Sequence, residues 1–128
     1  MPLSVMIVED QTDIAYLYSL YLTRSGFDTI SFTEPLLALD HFRQYPRRYS
    51  LILLDTFMDG FNGMELSKEI RKYSSQVKIL LIAGHSKGDI SHRIEFKEAK
   101  ISDVIQKPID FEKLGPRILQ LCEKQSRG

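Results

Sequence analysis

The sequence predicts a single α/β domain built on a doubly wound, five-stranded parallel sheet with five helices. Short apolar runs alternate with segments whose apolar residues recur at helical spacing. The strongest runs are almost uninterrupted, which is typical of strands covered on both faces. The 128 residues are enough for one substantial core. We assign residues 1–124 to this domain and the polar residues 125–128 to a C-terminal tail.

Five apolar runs bounded by polar or turn-forming residues predict the strands. In chain order they are residues 3–8, 27–32, 51–54, 77–82 and 103–106. The third run is the most strand-like, and the second is the weakest.

One helix is predicted after each strand. The helices are expected after Asp10 as far as Gly26, from a Thr33 cap to about Gln44, beyond Gly63, from about Asp89 to Lys97, and from Asp110 onward. The fourth helix has only a thin apolar stripe, so we expect it to be the least firmly anchored. In the fifth, Gly115-Pro116 predicts a kink or a late start, because proline lacks an N–H and clashes with the carbonyl four residues earlier.

Composition limits the classes of function. Lys and Arg together number 17, as do Asp and Glu, so no overall field favours nucleic acid or an anionic membrane. The single cysteine, Cys122, cannot form an internal disulfide and is expected on the core side of the last helix. The chain shows no export signal and no apolar run near the ~18 residues of a membrane span. We therefore predict a cytoplasmic protein without direct nucleic-acid or membrane contact.

Charged residues follow three of the predicted strands. Glu9 and Asp10 follow the first, Asp55 follows the third, and Lys107-Pro108 follows the fifth. Parallel strands bring these ends to one edge of the sheet. Crowded carboxylates favour a hard cation such as Mg²⁺, Asp55 can act as a nucleophile toward a phosphoryl group, and Lys107 can neutralise its oxygens. A cis bond before Pro108 would suit a tight turn there.

At this point the chain resembles, over essentially its full length, the receiver domain of two-component response regulators. The resemblance is carried by Val8-Glu9-Asp10, by Leu53-Leu54-Asp55 with Met58 and Gly63, by Ile82-Ala83-Gly84-His85, and by Gln106-Lys107-Pro108-Ile109. It implies the flavodoxin-like strand order 2-1-3-4-5.

The resemblance also implies a role for each site residue. Asp55 would accept a phosphoryl group from a phosphohistidine of a sensor histidine kinase. Glu9, Asp10, Asp55 and the backbone carbonyl of Phe57 would hold Mg²⁺, and Lys107 would contact the phosphoryl oxygens. The domain would catalyse only its own phosphorylation and dephosphorylation. It would signal to an effector domain or protein through the fourth helix, fifth strand and fifth helix, a face that also allows dimerisation.

Several positions depart from the family pattern, among them Asp59, where the family generally has Pro. Ala83 stands where most receivers have a Ser or Thr whose hydroxyl binds a phosphoryl oxygen, although the N–H of Gly84 could still donate. Val104 stands at the switch position, where many receivers have a Tyr or Phe that moves inward on activation. Lys100-Ile101 replaces a common Gly-Ala pair.

Two alternatives remain open at this stage. The losses at Ala83 and Val104 are compatible with a receiver-fold interaction module that acts without phosphorylation. A phosphatase of the haloacid dehalogenase type would need a second Asp two residues after Asp55, where Phe57 stands. Elsewhere, we interpret Arg71 as part of a solvated face and His41 as a helix-surface residue.

Overall fold

The five predicted strands are present and pair in parallel. The computed structural model describes residues 2–58, 61–84 and 94–126. Its main strands are β1 (Ser4–Val8), β2 (Asp28–Phe32), β3 (Leu51–Asp55), β4 (Lys78–Ala83) and β5 (Asp103–Gln106). They form one sheet in the order β2-β1-β3-β4-β5, which confirms the predicted fold class and strand order.

Helices cover both faces of the sheet. They are α1 (Thr12–Arg24), α2 (Pro35–Gln44), α3 (Gly63–Arg71), α4 (Ile94–Glu98) and α5 (Phe111–Ser126). Residues 85–93, where part of the fourth predicted helix falls, lie outside the described residues. None of the helices in the described ranges combines the length and apolarity that crossing a membrane requires.

The core consists of two layers, one on each face of the sheet. Because side chains alternate along a strand, Val5 and Ile7 of β1 face one layer while Met6 and Val8 face the other. The first layer is completed mainly by α1 and α5 and includes the buried Cys122, as predicted. The second contains residues of α2, α3 and the end of α4. Both faces are therefore apolar, and polar chemistry is confined to the edges of the sheet.

Two helices differ from their predictions: the predicted cap of α2 is wrong, and of the kink or late start predicted for α5 the late start is wrong while the kink stays a prediction. The residue that caps α2 is Glu34 rather than Thr33, and it does so without a side-chain hydrogen bond. Helix α5 begins at Phe111 and continues through Pro116, so the late start does not occur. Burial of Leu114 and Ile118 outweighs the loss of one helical hydrogen bond. The helix also extends into residues that we assigned to the polar tail.

Arg71 is a structural residue, contrary to its interpretation as part of a solvated face. Its guanidinium donates hydrogen bonds to the carbonyl oxygens of Ala99 at 2.7 Å, Val77 at 2.7 Å, Lys100 at 2.8 Å and Ser74 at 3.1 Å. The planar fork of five donors can satisfy several carbonyls at once. Arg71 thereby joins the end of α3 to the turn that follows α4 and to the approach to β4.

His41 is half-buried rather than on the helix surface. Its Nε2 atom lies 2.7 Å from the hydroxyl oxygen of Tyr49, and its ring packs 5.1 Å from those of Phe32 and Tyr45. Burial and the nearby charge of Arg48 lower the pKa of His41. This aromatic cluster fastens α2 to the edge strand β2.

Lys100 has a left-handed backbone, with φ at +50°. It occupies the turn whose carbonyl accepts from Arg71. Residues with a Cβ adopt this conformation at a cost, whereas glycine does so freely. Lys100, which replaces the glycine of the common Gly-Ala pair, therefore occupies a position where glycine would fit better.

Replacing Arg71 with methionine should lower the free energy of unfolding by about 3 kcal/mol, because four carbonyl oxygens lose a donor. Urea denaturation measures the loss. Lys72→Met is the matched control, since among the described residues the Lys72 ammonium forms its ion pair with the surface carboxylate of Glu69, and the free energy of unfolding should stay close to that of the wild type. Equal losses in the two variants would contradict a structural role for Arg71.

Lys100→Gly should raise the free energy of unfolding by about 1 kcal/mol through relief of the left-handed backbone. Lys97→Gly, within α4, should instead lower it by about 1 kcal/mol through loss of helix propensity. Urea denaturation of the pair measures the difference in sign. A Lys100→Gly variant as unstable as Lys97→Gly would show that backbone strain at Lys100 is negligible.

Candidate functional site

Three carboxylates meet at the C-terminal edge of the sheet. Glu9 and Asp10 directly follow β1, and Asp55 is the last residue of β3. Because Val8 pairs with Leu54, these residues lie side by side. Each of the three acids has a carboxylate oxygen within 4.8 Å of those of the other two. The juxtaposition is the one that the sequence predicts.

Lys107 brings a positive charge to the same place. Its backbone N–H donates to the carbonyl of Ala83 at 2.8 Å, which continues the pairing of β4 and β5 by one residue. Its Nζ atom lies 3.6 Å from Oδ2 of Asp55. The Lys107-Pro108 peptide bond is cis. The Asp55 carboxylate is almost fully buried, whereas the Lys107 side chain remains about one-third exposed.

Glu9 is the most deeply buried acid of the group, with 1% of its surface exposed. Its Oε2 atom accepts a hydrogen bond from the N–H of Gln11 at 3.0 Å, and its Oε1 atom has no partner among the described residues. Burial, together with the neighbouring Asp55 and Asp10 carboxyls, raises the pKa of Glu9 to about 7, against the opposing effect of the Gln11 hydrogen bond. The site therefore destabilises the charged form of Glu9.

The acidic cluster fits a hard divalent cation. Three carboxylates lie close together beside the Lys107 ammonium, so the described part of the site is acidic. The unpartnered Oε1 atom of Glu9 provides a buried oxygen ligand. Mg²⁺ prefers such oxygen ligands and binds through one or two carboxylates. The donor set therefore suits Mg²⁺, which Glu9, Asp10 and Asp55 would hold together with the carbonyl of Phe57.

The chain after Asp55 is fixed by backbone contacts. The N–H and hydroxyl of Thr56 both donate to the carbonyl of Ile82, at 3.0 and 2.8 Å. The N–H of Gly63 donates to the carbonyl of Thr56 at 2.7 Å, and a Cβ at Gly63 would overlap the carbonyl oxygen of Asp55. An unpredicted antiparallel pair of two-residue strands, Phe57–Met58 with Phe61–Asn62, closes this segment. These contacts hold the backbone of Asp55 and Phe57 in place.

Ala83 of the predicted phosphoryl-contacting loop and Val104 at the predicted switch position lie in the same core layer. Ala83 and Val104 are 1% and 3% exposed and both pack in the layer that contains α2, α3 and the end of α4. Gly84 follows β4 at the exposed edge. The structure thus places Ala83 opposite Gln106 at the end of β5, with Gly84 following it, whereas Val104 pairs with Leu81, two residues earlier in β4.

A cleft of about 580 Å³ opens beside Lys107. It is lined on one side by Gly84, Lys107 and Pro108 and on the other by residues of α1 and α5, among them Tyr18 and Phe111. Helical spacing on α1 predicts Tyr18 only as a core or rim residue, and the structure buries it; nothing in the sequence analysis associates it with the site. A sequence signal that could connect Tyr18 with the site is its spacing of eight residues from Asp10, which corresponds to about two helical turns.

Comparisons with known proteins agree with this geometry. The chain matches the family model described as "Response regulator receiver domain" over residues 5–119. The response regulator ArlR of Staphylococcus aureus is 29% identical over 121 residues, which cover 94% of this chain and 53% of that protein. This chain therefore spans about half the length of the curated relatives it matches.

Solved structures show the same fold. A CheY-like response regulator receiver domain protein from Methanospirillum hungatei has a TM-score of 0.89 at 20% identity, covering 99% of this chain and 98% of that one. NtrX from Brucella abortus has a TM-score of 0.84 at 25% identity, covering 99% of this chain but 28% of that one.

With the metal chelated, the protein should lose stability as the pH rises from about 4.5 to 7. Over this range the folded state retains a proton on Glu9 that the unfolded state has released, so deprotonation favours unfolding. The loss is expected to reach roughly 3 kcal/mol above pH 7. Urea denaturation between pH 5 and 8 in a chelating buffer measures it.

Glu9→Gln should largely remove this pH dependence, and Glu65→Gln, at an exposed position in the first turn of α3, should leave it unchanged. Mg²⁺ at ten times its dissociation constant should restore about 1.4 kcal/mol to the wild type and much less to Glu9→Gln. A wild-type slope retained in Glu9→Gln would assign the pH dependence to other groups.

Proposed function

Since the chain belongs to the family of response regulator receiver domains, we propose that it accepts a phosphoryl group on Asp55 from a phosphohistidine of a sensor histidine kinase. The observation that carries this proposal is the convergence of Asp55 with Glu9 and Asp10 within 4.8 Å and with Lys107 at 3.6 Å. A buried nucleophile, a cation site and a phosphoryl counter-charge are thereby combined at one edge of the sheet.

In the proposed reaction, a carboxylate oxygen of Asp55 attacks the phosphorus and forms an O–P bond. The P–N bond of the phosphohistidine breaks, and its electron pair returns to the imidazole nitrogen. Bound Mg²⁺ would supply charge neutralisation for the phosphoryl oxygens. The Lys107 ammonium, paired with Asp55 before transfer, would move to a phosphoryl oxygen afterwards. No separate substrate is turned over, so the chain would act as a switch rather than as an ordinary enzyme.

The phosphoryl group would bind with one donor fewer than in most receivers. Ala83 carries no hydroxyl, although the N–H of Gly84 follows it at the same edge. A missing hydrogen bond to a charged group corresponds to roughly 1.5–3 kcal/mol. Val104 has no ring that could move when the neighbouring loop rearranges. We therefore propose an intact acceptor with a weakened relay to the output surface.

The proposed output surface is the face formed by α4, β5 and α5. At the edge of this face, the Arg117 guanidinium contacts the Asp103 carboxylate at 2.5 Å. A downstream effector domain or protein, or a second copy of the chain, would dock there, in keeping with curated relatives about twice as long as this chain. We propose the cytoplasm as the site of action, because the transfer requires access to a phosphorylated kinase.

A second candidate is an interaction module of the same fold that acts without phosphorylation. The burial of Ala83 and Val104 in one core layer favours it, because these apolar side chains supply neither the hydroxyl nor the aromatic ring that most receivers have at the two positions. The retention of Glu9, Asp10, Asp55 and Lys107 favours phosphorylation, since a purely structural module gains nothing from crowded carboxylates. We rank phosphorylation first on this ground.

Intact mass measurement tests the proposal. Incubation with Mg²⁺ and a small acyl-phosphate donor should add one phosphoryl group to the wild type and none to Asp55→Asn, because the amide is a poor nucleophile. Asp28→Asn, an exposed position at the start of β2, is the matched control and should react like the wild type. A chelator should abolish the adduct.

If neither a small donor nor a phosphorylated kinase modifies the folded wild type, the module without phosphorylation becomes the function. An adduct that persists in Asp55→Asn would instead place the acceptor elsewhere.

A further inference from the structure

The side chain of Tyr18 is directed at the acidic site from the layer opposite Ala83. Tyr18 is 3% exposed and packs in the layer of α1 and α5, with its ring 5.7 Å from that of Phe111. Helical side chains lean toward the N-terminus of their helix. Because α1 begins at Thr12, two residues after Asp10, this lean carries the Tyr18 hydroxyl toward the carboxylates.

The surroundings of the hydroxyl indicate the same direction. Tyr18 lines the cleft that Gly84 and Lys107 border. Burial, followed by the charges of Glu9 and Asp55, raises the pKa of Tyr18 well above its usual value. The phenol therefore keeps its hydrogen at every physiological pH and can act as a neutral donor.

This hydroxyl has no structural use within the described part of the chain. No hydrogen bond of the Tyr18 hydroxyl is found there, while the ring alone accounts for its packing. The hydroxyl is not among the buried polar atoms without a partner in the described residues, and it belongs to a residue that lines the cleft beside Lys107. A phenylalanine would fill the same space without placing a polar group beside the acidic cluster.

We propose that Tyr18 is a further phosphoryl-binding residue, whose hydroxyl donates a hydrogen bond, directly or through one ordered water, to the group carried by Asp55. The inference rests on the proposed function. Transfer adds negative charge to a site that already contains Glu9 and Asp10, and a neutral donor stabilises that charge. The donor enters from the layer of α1 and partly compensates for the hydroxyl that Ala83 lacks in the other layer.

Beryllofluoride, a non-reacting phosphoryl analogue, tests this inference by calorimetric titration in saturating Mg²⁺. Tyr18→Phe should bind beryllofluoride about tenfold more weakly than the wild type, the effect of one lost hydrogen bond to a charged group. Its affinity for Mg²⁺ alone should change by less than about twofold, because the hydroxyl acts on the phosphoryl group. Thermal unfolding should confirm that the variant, which keeps the ring, remains folded.

Tyr21→Phe is the matched control. Tyr21 also lies on α1 and packs 5.4 Å from Phe111, but it lines an outer notch with Leu17 and Arg24. Its loss of a hydroxyl should leave beryllofluoride affinity unchanged.

Equal beryllofluoride affinities in Tyr18→Phe and the wild type would overturn the inference. The inference would also be overturned if Tyr18→Phe lost as much affinity for Mg²⁺ as for beryllofluoride. The hydroxyl would then act on the carboxylates that hold the metal rather than on the phosphoryl group. If the wild type binds Mg²⁺ but neither binds beryllofluoride nor forms a phosphoryl adduct, the proposed phosphorylation itself fails. If the wild type and Tyr18→Phe bind beryllofluoride equally well, only the role of Tyr18 is rejected, and the proposed function stands.

Discussion

Pairing of β1 with β3 in parallel brings the residues after both strands to one edge of the sheet, and here those residues are acids. Val8 pairs with Leu54, and both strands are buried on both faces. Glu9 and Asp55, which come next in the chain, are therefore held close together. Their mutual repulsion and the desolvation of Glu9 oppose ionisation. The Gln11 N–H counters this effect at Glu9, the Lys107 ammonium lies 3.6 Å from Asp55, and a divalent cation held by the three acids would neutralise them further, so the chemistry of the site follows from one feature of strand pairing.

The position of the acceptor depends equally on close backbone contacts. Gly63 lets the start of α3 approach the carbonyl of Asp55, and Thr56 ties the next residue to β4 through two hydrogen bonds to Ile82. These contacts connect the acceptor to α3 and β4 without any charged group. They fix the backbone that carries the Asp55 carboxylate, which would reduce the entropy lost in the proposed phosphoryl transfer.

The parts of the structure that sequence reasoning predicts are those set by local pattern. Continuous apolar runs identify the strands, and the charged residues that end them identify the acidic site and Lys107. The contacts of Arg71 are different, because its carbonyl partners Ala99 and Lys100 lie about 30 positions away and have no side-chain signal. Likewise, the packing of α5 on the sheet overrides the local effect of Pro116. Helical spacing alone predicts that Tyr18 is a core or rim residue. Only its placement beside the cleft connects it with the carboxylates.

The hydrogen bonds of Arg71 have a consequence for how freely the sequence can change. All four acceptors are main-chain carbonyls, which every amino acid possesses, so the contacts of the guanidinium do not depend on which side chains stand at positions 74, 77, 99 and 100. Substitutions there can accumulate while the guanidinium continues to hold the same backbone. The surface around the end of α4 can therefore diverge to suit new binding partners, with one arginine preserving the framework beneath it.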